Sequence, residues 1–171
     1  MAAAAVILSL TACSINAQGS SDDGLTIGAE STAPSDEAVA GGGNVRIPNP
    51  WTDHETLADM EATTGFAFSA PETANGLSAT AYRSMEGLAE VDYGEGRLTL
   101  RKGEGDGDVS GVFTTYSEET TLEINGVSVT AGGESGAYML ARWTDGGYSY
   151  SVYSESGLTE QALTEIIEAM K

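Results

Sequence analysis

An alternation of apolar and polar residues from Ala137 to Ser154 predicts a β-hairpin at the centre of the folded region. The dipeptide Asp145–Gly146 suits a two-residue type I′ turn, because both residues tolerate the positive φ angles that this turn requires. Such a turn sets Trp143 opposite Tyr148 and brings the large apolar and aromatic side chains onto one face. That face either fills a hydrophobic core or offers Trp143, Tyr148 and Tyr150 as a platform for a ligand.

A meander of three strands is predicted before this hairpin. A turn at Glu86–Gly87 and a loop over residues 94–97 give registers that agree with each other. One row across the three strands is then apolar and consists of Tyr82, Val91 and Leu100. The row on the opposite face is charged and consists of Arg83, Glu90 and Arg101. We expect the charged row to be a solvated ladder; the alternative is an anion-binding stripe formed by Arg83, Arg101 and Arg142.

A second hairpin and a C-terminal helix follow from turn chemistry and periodicity. Asn125–Gly126 predicts a type I′ turn whose arms present four apolar residues on one face, namely Leu122, Ile124, Val127 and Val129. The last residues, from Leu158 to Lys171, predict an amphipathic helix with Thr159 as its N-cap. Its apolar residues should pack across the apolar face of the sheet; they are Leu163, Ile166, Ile167 and Met170.

The folded region is predicted to begin with another helix. Thr52 and Glu55 have the spacing of a capping box, and Gly65 provides the stop. His54, the only histidine of the chain, is expected to be exposed in the first turn of this helix. A short edge strand is expected from Gly65 to Pro71. Together these elements predict an α+β domain over residues 46–171, with an antiparallel sheet of about six or seven strands in consecutive hairpins, flanked by the two helices. The space between sheet and helices is either filled or holds an apolar cavity.

The N-terminal residues have the features of an export signal. Residues 1–10 form an apolar run that is too short to span a bilayer as a helix, and Leu10–Cys13 resembles a bacterial lipobox, whose cysteine receives a lipid. No Lys or Arg precedes Cys13, so we expect a signal peptide (residues 1–13) that is truncated; the alternative is an ordinary apolar N-terminus with a buried cysteine. Residues 14–45 are acidic and rich in Gly and Ser, which predicts a disordered tether with a reach of roughly 30 Å.

The chain is strongly acidic. It contains 26 acidic and seven basic residues; residues 46–171 hold 21 of the acidic residues and all seven basic ones, so the net charge of the domain is −14. A nucleic-acid partner is not expected, because phosphate binding requires clustered Lys and Arg. Cys13 is the only cysteine, so the chain can form neither an internal disulfide nor a cysteine-ligated zinc cluster.

The most metal-like stretch lies between residues 104 and 110. Asp106, Asp108 and Ser110, followed by Gly111, match the first half of an EF-hand loop, in which alternate oxygen atoms converge on calcium. The second half does not match, because Ser117 stands where the loop needs its glutamate. Calcium is therefore the one cofactor considered, against the alternative of a glycine-rich acidic loop between strands.

Catalytic motifs are sparse, and no catalytic residue is assigned. A Ser-His-Asp arrangement would have to use His54, and the sequence contains neither a Gly-x-Ser-x-Gly elbow nor a Walker-type loop. Acidic residues are available for hydrolysis, but their spacing does not single out a pair.

Several short motifs resemble those of one protein family. The most distinctive is Trp-Thr-Asp-Gly-Gly-Tyr-Ser-Tyr at 143–150; the others are Asn-Pro-Trp-Thr at 49–52, Gly-Phe at 65–66, Arg-Lys-Gly at 101–103, Val-Ser-Gly at 109–111 and Gly-Leu-Thr-Glu at 157–160. They resemble a family of uncharacterised lipoproteins from Gram-positive gut bacteria, whose C-terminal region is a domain of unknown function. The resemblance covers about residues 47–171. It implies extracytoplasmic placement, a compact α+β domain and no assigned activity.

These observations favour a lipoprotein that lies outside the cell and is anchored to the membrane through lipidated Cys13. Its domain is expected to bind a small ligand or a surface protein. The candidate ligand-binding residues are Arg83, Arg101, Arg142, Trp143, Tyr148 and Tyr150. The alternatives are a hydrolase that acts on cell-wall or carbohydrate material through acidic residues, and a structural spacer at the cell surface.

Overall fold

The domain is built on an antiparallel β-sheet. The computed structural model describes residues 48–170, which form nine strands and two helices and belong to one compact unit. The strands are β1 (Thr52–His54), β2 (Thr73–Ala74), β3 (Leu77–Met85), β4 (Leu88–Tyr93), β5 (Leu98–Glu104), β6 (Glu118–Ile124), β7 (Val127–Glu134), β8 (Ala137–Asp145) and β9 (Tyr148–Leu158). The helices are α1 (Leu57–Thr64) and α2 (Glu160–Ala169). The α+β class predicted from the sequence is therefore confirmed.

The order of the strands requires one long connection across the face of the sheet. The order is β1-β3-β4-β5-β9-β8-β7-β6, and β2 pairs with β3. Three strands, β9, β8 and β7, thus lie between β5 and β6, although β6 follows β5 in the chain. Residues 105–117, which we call the crossing loop, pass over these three strands to reach the far edge of the sheet.

The two faces of the sheet bury different kinds of side chain. On the core face, side chains of Val91, Leu100, Val152 and Ala141 form an apolar row that is at most 1% exposed. Met60 of α1 and Leu163, Ile166 and Ile167 of α2 belong to the same core cluster. The opposite face, which we call the loop face, carries the row Arg83, Glu90, Arg101, Ser151 and Arg142. Because side chains alternate along a strand, the apolar and the charged row are separated by the sheet.

Both helices begin at threonine caps. In α1, the Thr56 hydroxyl accepts a hydrogen bond from the Asp59 N–H at 3.1 Å, and the helix ends at Gly65, whose φ is 81°. In α2, the Thr159 hydroxyl accepts a hydrogen bond from the Ala162 N–H at 3.2 Å, as the sequence predicts. The predicted packing of this C-terminal helix on the apolar face is confirmed as well.

The start of the domain differs from the prediction. Thr52–His54 do not begin a helix but form β1, which pairs with β3, and α1 begins only at Leu57. His54 is accordingly a half-buried strand residue and not an exposed helical one. Residues 65–71 contain no strand. The two short strands β1 and β2 raise the number of strands to nine, above the six or seven expected.

Most of the predicted registers are confirmed. Glu90 lies opposite Arg83 on one side and Arg101 on the other, and the Asn125–Gly126 turn joins β6 to β7. The predicted position of the central turn is wrong by one residue. The turn consists of Gly146–Gly147 and sets Trp143 opposite Tyr150. The predicted signal peptide with Cys13 and the tether lie outside the described residues.

Candidate functional site

The crossing loop is attached to the loop face near both of its ends. The Gly105 N–H donates to the Gly147 carbonyl at 3.0 Å, and the Ser149 hydroxyl donates to the Gly105 carbonyl at 2.9 Å. Near its other end, the Tyr116 ring lies so close to Gly132 that a Cβ atom at Gly132 would be 3.0 Å from it. The loop is thus held against β9 and β7 and crosses β8, the strand between them.

A buried ion cluster lies under the loop. Glu90 is 1% exposed and pairs with both Arg83 and Arg101, and the Arg101 Nε–Glu90 Oε2 distance is 2.6 Å. Arg83 also pairs with Asp92 at 2.5 Å. Burial acts to lower the pKa of Arg83, but the negative charges of Glu90 and Asp92 outweigh it, and the pKa is raised. The expectation of a solvated ladder is therefore wrong, because Glu90 is shielded from water.

The cluster also fixes the loop and the N-terminal segment. Arg101 Nη1 donates to the carbonyls of Val109 and Ser110 at 3.1 and 2.6 Å. The next residue, Gly111, has a φ of 64°, and a Cβ atom there would collide with the Arg101 guanidinium. The Trp51 ring lies over the cluster, with the Cζ atoms of Arg83 and Arg101 at 5.6 and 5.5 Å from its centroid. The positive charge of these two arginines is thus largely engaged within the protein.

Arg142, the third arginine on the loop face, forms ion pairs whose partners are more exposed than those of Arg83 and Arg101. Its side chain is 38% exposed, and its Nη1 lies 2.8 Å from Asp108 Oδ2, while its Nη2 lies 3.6 Å from Glu119 Oε2. Burial acts to raise the pKa of Asp108, but hydrogen bonds from Ser110 and the charge of Arg142 outweigh it, and the pKa is lowered. Because both ion pairs are largely exposed, they contribute little to stability and can open at low cost.

Two clefts share Arg142 as a lining residue. The first has a volume of about 250 Å³ and lies between residues 106–108 and a wall that includes Ser128, Thr130 and Thr144. The second has a volume of about 260 Å³ and is lined by residues 112–116, together with Glu119, Gly132 and Leu140. Phe113, which lines the second cleft, is 99% exposed. The two clefts therefore combine hydroxyl groups, one guanidinium, three carboxylates (Asp106, Asp108 and Glu119) and an exposed aromatic ring.

The three candidate aromatic residues lie on the other face of the sheet. Trp143 and Tyr150 stack with ring centroids 5.1 Å apart and are 6% and 7% exposed. Tyr148 is half-buried and packs against Phe66 at 5.3 Å. The side chains of the six candidates are thus divided between the loop face, which carries the arginines, and the core, where the aromatic rings pack. Trp143 and Tyr150 nevertheless belong to the lining of the first cleft, beside Arg142.

Lys102 occupies the space beside these aromatic rings. Its Nζ lies 4.2 Å from the centroid of Tyr148 and 5.5 Å from that of Tyr150, and it donates to the Ala67 carbonyl at 2.6 Å. Burial lowers the pKa of Lys102, against the opposing charge of Glu61. The side chain of Lys102 therefore occupies the ring surface that a ligand would otherwise contact. The sequence pattern did not indicate this contact.

The remaining polar candidates show no catalytic arrangement. His54 Nε2 lies 2.7 Å from the Ser84 hydroxyl, but Ser84 is only 3% exposed, so a substrate cannot reach it without rearrangement. In the predicted calcium loop, Asp108 pairs with Arg142 and accepts the Ser110 N–H at 2.8 Å. Within residues 48–170, no three or more His, Cys, Asp or Glu side chains are grouped so that they could hold a metal ion. The calcium hypothesis stays a prediction.

Comparisons with known proteins add no relative. No family model, no curated protein and no solved structure matches the chain. The resemblance to a lipoprotein family therefore also stays a prediction. Among the described residues, neither of the two helices is long and apolar enough to cross a bilayer.

Proposed function

We propose that this chain is an extracytoplasmic binding module, held at the membrane by a lipid on Cys13, whose ligand is a neutral carbohydrate bound around Arg142. The lipobox-like sequence before Cys13 and the acidic tether support the anchored placement. The ligand site is proposed for the two clefts that meet at Arg142, and the residues of the domain core serve to hold this surface in place.

The observation that carries the proposal is the position of Arg142 between the two clefts. Its guanidinium is held by Asp108 and Glu119 through exposed ion pairs. Such a group presents donors and acceptors side by side, which suits a ligand whose neighbouring hydroxyl groups both donate and accept hydrogen bonds. Further hydroxyl groups line the first cleft at Ser128, Thr130 and Thr144.

The ring of Phe113 supplies the second feature that a carbohydrate requires. A sugar ring has an apolar face of C–H groups that packs on an aromatic ring, and Phe113 is 99% exposed at the second cleft. A neutral sugar also fits the charge of the site better than an anion does. Two carboxylates already neutralise Arg142, and the domain as a whole carries a net charge of −14.

Binding is preferred to hydrolysis because of the state of Asp108, the carboxylate nearest to Arg142. A general acid in a glycosidase needs a raised pKa, whereas the pKa of Asp108 is lowered. An interior ligand is also less favoured, because the residues of α2 that face the sheet are at most 3% exposed and pack within one core cluster.

A glycan array tests the ligand class. The full chain should bind a subset of neutral glycans, and Arg142→Met should weaken that binding about 10- to 100-fold, because a hydrogen bond to a charged group contributes roughly 1.5–3 kcal/mol. Arg97→Met is the matched control: Arg97 is exposed and donates to the Gly94 carbonyl at 3.0 Å, in the β4–β5 turn. The proposal fails if the full chain binds no glycan, or if both variants bind equally well.

Membrane fractionation tests the anchor. In cells that process lipoproteins, the chain should sediment with membranes, and Cys13→Ala should release it to the soluble fraction. If both forms sediment to the same extent, a lipid on Cys13 does not determine the location of the chain.

A further inference from the structure

One edge of the sheet is long and open. Among the described residues, β6 is the last strand in the sheet order and has no neighbour on its outer side. It is seven residues long, and residues 118–121 and 123 are exposed. The opposite edge is formed by β1, which is only three residues long. Natural sheets usually shorten or cover their edges, so a long exposed edge is a candidate for pairing with another strand.

The register identifies the backbone groups that are free for such pairing. Ile124 and Val127 flank the two-residue turn and therefore form a hydrogen-bonded pair. Because hydrogen-bonded and non-bonded pairs alternate, the N–H and C=O groups of residues 119, 121 and 123 point away from β7. The edge thus offers a ladder of three donors and three acceptors to an extended chain.

The side chains along this ladder alternate in character. Glu119 and Glu123 lie on the loop face on either side of Thr121, while Leu122 and Ile124 lie on the core face. At the beginning of the strand, a cleft of about 450 Å³ is lined by Ser117–Thr120 and by Tyr138. An incoming strand that matches this edge therefore carries basic residues on one face and apolar residues on the other.

Like charges disfavour both a second copy of β6 and the predicted tether as the occupant. In the antiparallel register that pairs two β6 strands along their whole length, Glu119 lies opposite Glu123 of the second copy, which is unfavourable. Residues 14–45 contain five acidic residues and no basic one, so the predicted tether carries the wrong charge as well. Charge complementarity therefore favours a different, basic molecule as the occupant.

We propose that the β6 edge binds an extended cationic polypeptide segment, in which Lys or Arg alternates with apolar residues, as an additional strand of the sheet. The backbone of residues 119, 121 and 123 provides the hydrogen bonds, and Glu119 and Glu123 select the positive side chains. This surface needs no ligand at Arg142; of its residues only Glu119, which lies 3.6 Å from Arg142, is shared with the proposed carbohydrate site, and Glu123 belongs to the edge alone.

The test uses the acetylated, amidated heptapeptide Lys-Val-Lys-Val-Lys-Val-Lys and the ¹⁵N-labelled full chain. Addition of the peptide should shift the backbone amide signals of residues 118–124 in NMR spectra. Thr121→Pro should weaken binding at least about tenfold compared with Thr121→Ala, because proline removes an outward donor and is tolerated at a sheet edge. Glu123→Gln should weaken binding about two- to fivefold, whereas the exposed control Glu86→Gln, in the β3–β4 turn, should not.

Three results would overturn the proposal. The first is equal binding of Thr121→Pro and Thr121→Ala, with unchanged core amide signals to show that both fold. The second is equal binding of the neutral peptide Ser-Val-Ser-Val-Ser-Val-Ser. The third is a set of shifts confined to the clefts around Arg142, which would place the peptide at the carbohydrate site. If Thr121→Pro does not fold, Glu123→Gln and the neutral peptide still decide the outcome.

Discussion

Replacing Glu90 by Gln should destabilise the domain by about 2–4 kcal/mol, although the change removes one charge and almost no volume. Removing one partner of a buried ion pair costs about 3–5 kcal/mol when the remaining charge stays buried. The side chains of Arg83 and Arg101 are 36% and 19% exposed and keep other acceptors, so we place the cost somewhat lower. For a domain of this size, about 1 kcal/mol corresponds to roughly 4 °C in Tm.

The assay is urea and thermal unfolding followed by circular dichroism. Glu90→Gln should lower Tm by about 8–16 °C, whereas the control Glu86→Gln, which removes the same charge from an exposed turn, should change stability by at most about 0.5 kcal/mol. A double-mutant cycle with Arg101→Met isolates the pairwise coupling, which should exceed about 1 kcal/mol. If Glu90→Gln costs no more than Glu86→Gln, the buried ion cluster does not stabilise the domain.

Three further predictions follow from local geometry. Because the folded-state pKa of Asp108 is lowered, its charge stabilises the fold above about pH 4, the pKa of an unfolded aspartate, and this contribution is lost as the pH falls through the lower folded-state pKa. A ¹³C NMR titration of Asp108 should show its midpoint rise in Arg142→Met, and an unchanged midpoint would contradict the pairing. Gly111→Ala should cost about 1–3 kcal/mol in urea unfolding, whereas Gly107→Ala, which has no neighbour within 4 Å, should be nearly neutral; equal effects would contradict the contact with Arg101. Thr159→Ala should cost about 1 kcal/mol by the same assay, through loss of the N-cap of α2, and a cost near zero would argue against the cap.

Turn chemistry explains which parts of the fold could be predicted from sequence. The turns at Glu86–Gly87 and Asn125–Gly126 fix the registers of their hairpins locally, and both were predicted correctly. The central hairpin contains the run Asp145–Gly147, in which two adjacent dipeptides can make the turn. The structure uses the second, which moves the register by two positions and so leaves every side chain on its predicted face.

Competing local signals explain the error at the beginning of the domain. Both Thr52 and Thr56 precede an acidic residue by three positions, so either can act as a helix cap. Residues 52–54 pair with β3 as a strand, so the helix begins after Thr56 and not after Thr52. This pairing joins residues about thirty positions apart in the chain. A local pattern contains no information about such a pairing.

The candidate site depends even more on distant contacts. The sequence indicated Arg142 but not Glu119 or Phe113, because only the crossing loop brings them to one surface. Glu90 belongs to an internal ion cluster and not to a solvated ladder, because Trp51 lies over its two arginine partners and Arg101 is bonded to the crossing loop. An acidic residue between two arginines in paired strands can form a solvated ladder or a buried ion cluster. Which of the two forms depends on the segments that pack over these residues, and the local sequence does not identify them.

The most direct test of the proposed carbohydrate site is an NMR titration of the ¹⁵N-labelled full chain with two neutral oligosaccharides, chitotetraose and maltotetraose. If the clefts around Arg142 bind carbohydrate, at least one of the sugars shifts the amide signals of residues 106–108, 112–116 and 142–144, with a Kd below about 1 mM, and the shifts disappear in Arg142→Met. If neither sugar shifts these signals at about 10 mM, or if the shifts lie elsewhere in the domain, the clefts around Arg142 are not a carbohydrate site.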